Sequence, residues 1–164
     1  MNAQHEAASG SWAEVFRRKL PLFGHRNWIV VADAAYPAQT AAGITTIAAD
    51  ADQLDVVREV LSGLAAANHV RPKVYTDREL AFVKEQDAAG MDAYRRNLQQ
   101  LLRGLDVQSI PHEEIIGRLD RVAATFEVLI VKTRLTIPYT SVFIELDCAY
   151  WSAEAEGRLR GAIK

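Results

Sequence analysis

Cysteine is almost missing from this 164-residue chain: Cys148 stands alone, which excludes an intrachain disulfide and any multi-cysteine metal cluster. An excess of charge of one sign is missing too. Lys and Arg number 19 against 21 Asp and Glu, giving a formal net charge of −2, and the basic residues are interleaved with acids, as at Arg118, Asp120 and Arg121. A nucleic-acid backbone is held by clustered cations that displace its counterions, so no nucleic-acid partner is expected. No apolar run approaches the ~20 residues of a bilayer span. The opening MNAQHEAASG also lacks the basic-then-apolar order of a secretory signal. The expectation is a cytoplasmic protein with no membrane partner. The glycines are scattered, so no phosphate-cradling G-x-G-x-x-G or G-x-x-x-x-G-K follows a strand; a G-x-S-x-G elbow and an H-E-x-x-H helix are likewise absent.

What is present is the composition of a globular domain, 49% hydrophobic and 24% charged, long enough to bury roughly two-thirds of its unfolded surface. One domain over 1–164 is expected, with 1–10 flexible. Ser11, with Glu14 three positions on, reads as a capping box opening a helix to about Leu20. Trp28 to Ala32 is a continuous apolar run, the mark of a strand buried on both faces. Ile44 to Ile47 reads as a second strand. From Asp52 to about Ala67, Leu54, Val57, Leu61 and Leu64 recur at helical spacing. A strand over Arg71–Thr76, a helix over Met91–Leu105, a strand over Val107–Ile110 and a helix from His112 to Phe126 behind Pro111 follow. Two strands close the pattern: Val128–Val131, apolar throughout, and Ser141–Leu146, an edge or antiparallel partner joined to it through Pro138. Alternating strands and helices predict an α/β fold, a three-layer α/β/α arrangement around a mostly parallel or mixed sheet of about six strands.

Of the four histidines, His5 lies in the polar start and His69 at a helix end, where a cation meets the dipole's negative pole. His25 and His112 each sit in a connection beside a strand expected to be buried, from which side chains reach a cleft while the sheet holds them still. Asp33 directly follows the apolar strand residues ending at Ala32, at the carboxyl end where open α/β sheets gather ligands. The same aspartate could equally cap a turn before Pro37.

The order of residues around them is more specific. Gly24-His25-Arg26-Asn27-Trp28-Ile29-Val30-Val31-Ala32-Asp33-Ala34-Ala35-Tyr36-Pro37 resembles the G-H-x-x-x-[apolar]-x-D-A-x-[FY]-P signature of the D-ribose pyranase and L-fucose mutarotase (RbsD/FucU) family. Thr133-Arg134-Leu135-Thr136-Ile137-Pro138-Tyr139-Thr140-Ser141 is similar to that family's late T-G-E-x-x-P-Y-x-N segment, and His112-Glu113 to a histidine-containing turn between the two. The resemblance spans about Leu22 to Leu146. It implies a sugar isomerase of the mutarotase or pyranase type, free of cofactor, with His25 as the catalytic proton-transfer group. It further implies that Asp33, His112, Tyr139 and Ser141 line a monosaccharide, in ring-like oligomers (pentamer or decamer) with sugar bound between neighbours. The chain departs from the family where Ser141 replaces an asparagine and Arg134-Leu135 replaces Gly-Glu.

Eight positions separate His25 from Asp33. If the segment is straight, that is ~26 Å at ~3.3 Å per strand residue, too far for one small sugar. Either Gly24 to Trp28 folds back, or His25 of one copy faces Asp33 of the next. Two rivals accompany the isomerase reading. One is a non-catalytic relative that binds a sugar or partner. The other is a metal enzyme with His25, Asp33, His112 and Glu113 as ligands, a set of imidazoles and carboxylates suited to zinc or manganese.

Overall fold

The apolar runs become the middle of a six-stranded sheet in a computed structural model that describes residues 11–163. The strands are β1 (Trp28–Ala32), β2 (Ile44–Ala48), β3 (Val70–Asp77), β4 (Asp106–Ile110), β5 (Val128–Lys132) and β6 (Val142–Cys148), in spatial order β2-β5-β1-β6-β3-β4. β5 runs parallel to β1 and β2, and β4 parallel to β3; β6 lies antiparallel between β1 and β3 and joins the two halves. Every residue of β1 is buried, as an apolar run with both faces covered requires. The expected flexibility of 1–10, and His5 with it, falls outside the described residues.

Helices cover both faces, so the fold is a three-layer α/β/α sandwich. α1 (Trp12–Lys19), α2 (Gln53–Ala66) and α3 (Met91–Leu101) pack Phe16, Val57, Leu64, Met91 and Leu98 against Ile29, Val31, Leu129, Val131 and Ile144. On the other face, α4 (His112–Ala123) packs Ile115, Leu119 and Ala123 against Trp28, Val30, Ile130 and Phe143. Each such large side chain, fully buried, contributes about 1.5–3 kcal/mol. The capping box forms as expected: Ser11 Oγ accepts the Glu14 N–H (3.4 Å) while Glu14 Oε2 accepts the Ser11 N–H (2.7 Å).

Several expectations need correction. Ser141–Leu146 is the antiparallel strand of the expected pair of alternatives and not the edge strand: β6 lies between β1 and β3, with β1 separating it from β5, and Val142, Phe143 and Ile144 have no exposed surface. The edge strands are β2 and β4, and β4 is almost wholly exposed, so His112 follows a solvent-facing strand rather than a buried one. The buried stripe of α2 is Val56, Val57, Val60 and Leu64, while Leu54 and Leu61 are only partly covered. His69 is no dipole partner of its own helix. Its Nε2 sits 3.0 Å from the Phe23 carbonyl oxygen and 3.3 Å from that of Leu20, and so ties the end of the first helical segment to the start of β3. A further helix, α5 (Ala153–Ala162), opens on Ser152, whose Oγ accepts the Ala155 N–H, and buries none of its residues. Its sequence lacks an apolar stripe and carries Gly157 and Gly161, so periodicity does not reveal it.

Candidate functional site

All five parallel strands end on one edge of the sheet, and the antiparallel β6 begins there. Asp33 follows β1, Asp77 closes β3, Thr133 follows β5, His112 opens α4 after β4, and Ser141 precedes β6. Four residues singled out from the sequence (Asp33, His112, Tyr139 and Ser141) therefore lie at a single edge, drawn from three separate stretches of chain.

Asp33 and Ser141 are paired twice. Ser141 Oγ accepts the Asp33 N–H and donates to Asp33 Oδ2, both at 3.3 Å. Asp33 Oδ1 also accepts the Ala35 N–H at 2.9 Å, so the turn-capping role is real and coexists with any ligand role. His112 is held at three points. Its backbone N–H donates to the Glu79 carboxylate (3.0 and 3.3 Å), its Nδ1 lies 3.0 Å from Asp77 Oδ1, and its ring meets Tyr139 edge-on, centroids 5.6 Å apart at 84°. The imidazole is 30% exposed whereas Asp77 is 1% exposed, so the ring spans from interior to surface. Burial pushes the Asp77 carboxyl above its usual range, the hydrogen bond and charge of His112 oppose that, and Glu79 and Asp33 reinforce it. Tyr36, next to Pro37 of the first motif, is also buried. Burial first, then the carboxylates of Asp120, Asp77 and Asp33, raise its phenol well above the ordinary value.

Tyr139 is 41% exposed and adopts φ of +58°, a left-handed conformation that costs a non-glycine residue about 1 kcal/mol or more. Its neighbours hold it there. Thr140 Oγ1 donates to the Ile137 carbonyl (2.7 Å), and the Thr140 carbonyl accepts from Tyr94 Oη (2.6 Å) and from Gln53 Nε2. Gln53, with no exposed surface, donates to Tyr94 Oη as well (2.9 Å) and accepts from Thr133 Oγ1 on Oε1 (2.9 Å). One side chain at the start of α2 thus clamps both ends of the 133–141 connection.

His25 lies elsewhere. It is exposed, in a turn at the amino end of β1 closed by the Asn27 N–H to the Gly24 carbonyl (3.2 Å) and the Gly24 N–H to Asn27 Oδ1 (2.8 Å). Arg26, at φ +75°, sets its guanidinium 5.6 Å from the Phe126 ring centre. The pairing with β6 continues beyond Trp28, the Arg26 N–H donating to the Leu146 carbonyl and the Leu146 N–H to that of Asn27 (2.9 Å each), so the Gly24 to Trp28 stretch does not fold back toward Asp33. Asn27 and Asp33 are roughly 20 Å apart at the usual rise per strand residue. His25, Asp33, His112 and Glu113 are thus not assembled in one chain as a metal site. Among the described residues, no three His, Cys, Asp or Glu side chains are grouped to hold an ion.

Sequence reasoning missed Asp77, Glu79 and Gln53. Asp77 carried a usable signal, an acid closing a strand just as Asp33 does, but the strand was expected to stop at Thr76. Glu79 and Gln53 act across 33 and 80 to 87 positions, and nothing local marks them.

A mixed parallel sheet covered on both faces, with polar groups converging where its parallel strands end, defines a three-layer α/β/α protein with its candidate site at the carboxyl edge. A family model described as the RbsD / FucU transport protein family matches residues 17–148. The chain belongs to the RbsD/FucU family. Solved structures agree on the fold. The chain is similar to Bacillus subtilis RbsD complexed with D-ribose (18% identity, TM-score 0.59, covering 84% of this chain and 95% of that one). It is also similar to the fucose mutarotase of Streptococcus pneumoniae in complex with L-fucose (16%, 0.52, 80% and 89%) and to FucU of Bifidobacterium longum (12%, 0.54, 82% and 94%). No curated protein sequence matches significantly. No helix among the described residues is long and apolar enough to cross a membrane.

Proposed function

We propose that this protein binds a free monosaccharide at the carboxyl edge of its sheet and interconverts its anomers or ring forms, with His25 supplied by a neighbouring copy. The observation that carries this reading is the convergence of Asp33, His112, Tyr139 and Ser141 at one edge while the fifth motif residue, His25, sits exposed at the other. The sugars bound by the B. subtilis and S. pneumoniae relatives support a monosaccharide as ligand. Ring opening needs a base for the anomeric hydroxyl proton and an acid for the ring oxygen. An imidazole serves either step near neutral pH, and one well-placed group gives ~10²–10⁴-fold. Tyr139 offers an aromatic face to the sugar's C–H groups, and Asp33 with Ser141 offers hydroxyl partners.

Saturation-transfer NMR on a panel of aldoses tests the reading. The protein is expected to accelerate exchange between anomers or ring forms of at least one sugar, and His25→Ala to abolish that. Mixing His25→Ala with His112→Ala restores exchange if each site draws on two copies. A monodisperse monomer that still turns over sugar would overturn the shared site.

A second reading, a binding protein without turnover, is favoured by the 133–141 connection. Where the family has Gly-Glu, Arg134 points out to Asp50 (3.4 Å) and Leu135 packs on the core, so this connection brings no acid to the edge. Saturable sugar binding with exchange no faster than in buffer identifies it.

A further inference from the structure

We infer that Asp77 is a positioning residue that keeps the His112 proton on Nδ1, leaving Nε2 as a proton acceptor toward a sugar hydroxyl. This rests on the proposed function for its sugar, though not for its geometry.

Three observations converge. Asp77 Oδ1 lies 3.0 Å from His112 Nδ1, and the carboxylate is almost fully enclosed, so water does not compete for that contact. A carboxylate only accepts, which puts the imidazole proton between the two groups on Nδ1. Among the described residues Nε2 has no hydrogen-bond partner, and the imidazole that carries it is 30% exposed and packed beside Tyr139. The remaining freedom of the ring is removed elsewhere: Glu79 caps the His112 backbone N–H, and Tyr139 stops the ring's edge. In the reaction, Nε2 would take the proton of a sugar hydroxyl while Asp77 stabilises the resulting imidazolium. The proton returns to the sugar oxygen on ring closure, so the cycle balances without a co-reactant. With an imidazole from each of two copies, the site holds both a base and an acid.

The test is nitrogen-15 NMR of the imidazoles in the full-length protein, with His112 assigned by comparison with His112→Gln, alongside sugar exchange rates for Asp77→Asn. The wild type is expected to show a protonated Nδ1 and a bare Nε2 at neutral pH. In Asp77→Asn the amide can donate to Nδ1 and shift the proton to Nε2. Exchange should then fall ~10²-fold or more while sugar affinity changes only a few-fold. Asp77→Glu, which keeps an acceptor, should recover part of the rate. A wild type with its proton on Nε2 overturns the inference, as does an Asp77→Asn protein that exchanges sugar at the wild-type rate. If the wild type accelerates no sugar, the proposed function fails, and the nitrogen-15 spectrum still decides the position of the proton.

Discussion

Replacing Gln53 with leucine removes the amide that clamps the 133–141 connection while preserving much of the side chain's bulk. Three hydrogen bonds are lost: those to Tyr94 Oη and the Thr140 carbonyl, and the one from Thr133 Oγ1. All three abandoned partners keep another bond. The Thr140 carbonyl still accepts from Tyr94, and Thr133 Oγ1 still reaches the Ala32 carbonyl at 3.0 Å. No buried group is therefore stranded, and the loss is set by net bond energies of about 0.5–1.5 kcal/mol each. Added apolar burial at a site with no exposed surface returns part of that. The expected destabilisation is about 2–3 kcal/mol, read as a shift in urea midpoint at unchanged slope. Because the clamp also holds Thr140 next to the strained Tyr139, amide exchange in 133–141 should rise more than in β1 or β5. Combining the change with Tyr94→Phe should give strong non-additivity, since the two side chains share the Thr140 carbonyl. A loss under about 0.5 kcal/mol, with additive effects, would show that the network holds nothing in place.

Three other perturbations report on separate parts of the fold. Gly43→Ala should destabilise by several kcal/mol in the same urea titration, because a Cβ there falls on the Ala123 carbonyl oxygen and within 2.8 Å of that of Phe126, both backbone atoms that cannot swing aside. Asp77→Asn should gain stability relative to wild type as pH rises from about 4. The native carboxyl is held above its usual range chiefly by burial, with Glu79 and Asp33 adding to it and His112 opposing, so the fold favours the protonated form and loses stability as the group ionises. Urea midpoints that diverge in the opposite sense between pH 4 and 8 would contradict that balance. Tyr139→Gly should leave stability within about 1 kcal/mol, since relief of the left-handed strain offsets the entropic cost of glycine. The same change should weaken sugar binding at least tenfold by calorimetry.

The layers were legible because they rest on local patterns. The apolar run of β1, the capping box at Ser11 and the proline before α4 each act within a few residues, and each forms where expected. The position of β6 was not legible, because Glu145 within its apolar run imitates the alternation of a half-exposed strand. In the fold that glutamate is only partly covered and accepts the Tyr75 hydroxyl at 2.8 Å. The site divides the same way. Asp33, His112, Tyr139 and Ser141 could be picked out from motif order, and the sheet brings them to one edge. Their supports could not be. The carboxylates of Asp77 and Glu79 meet His112 only because β3 and β4 run side by side to the same edge, a pairing between segments some thirty residues apart.

The antiparallel insertion of β6 also explains why His25 is parted from the other motif residues. Were β6 parallel to β1, its carboxyl end would share the edge with Asp33, and Tyr139 and Ser141 would stand at the opposite edge beside His25. Reversed, β6 presents its amino end there instead, in register with β1 through Val31 opposite Val142. Tyr139 and Ser141 therefore join Asp33 and His112, and His25 is left at the far end of the same strand. The length of β1 fixes that separation, and no side-chain rotation removes it. A chain built this way reunites the five motif residues only by placing the amino edge of one sheet against the carboxyl edge of another. The His25→Ala and His112→Ala mixing experiment is therefore a test of sheet topology as much as of catalysis.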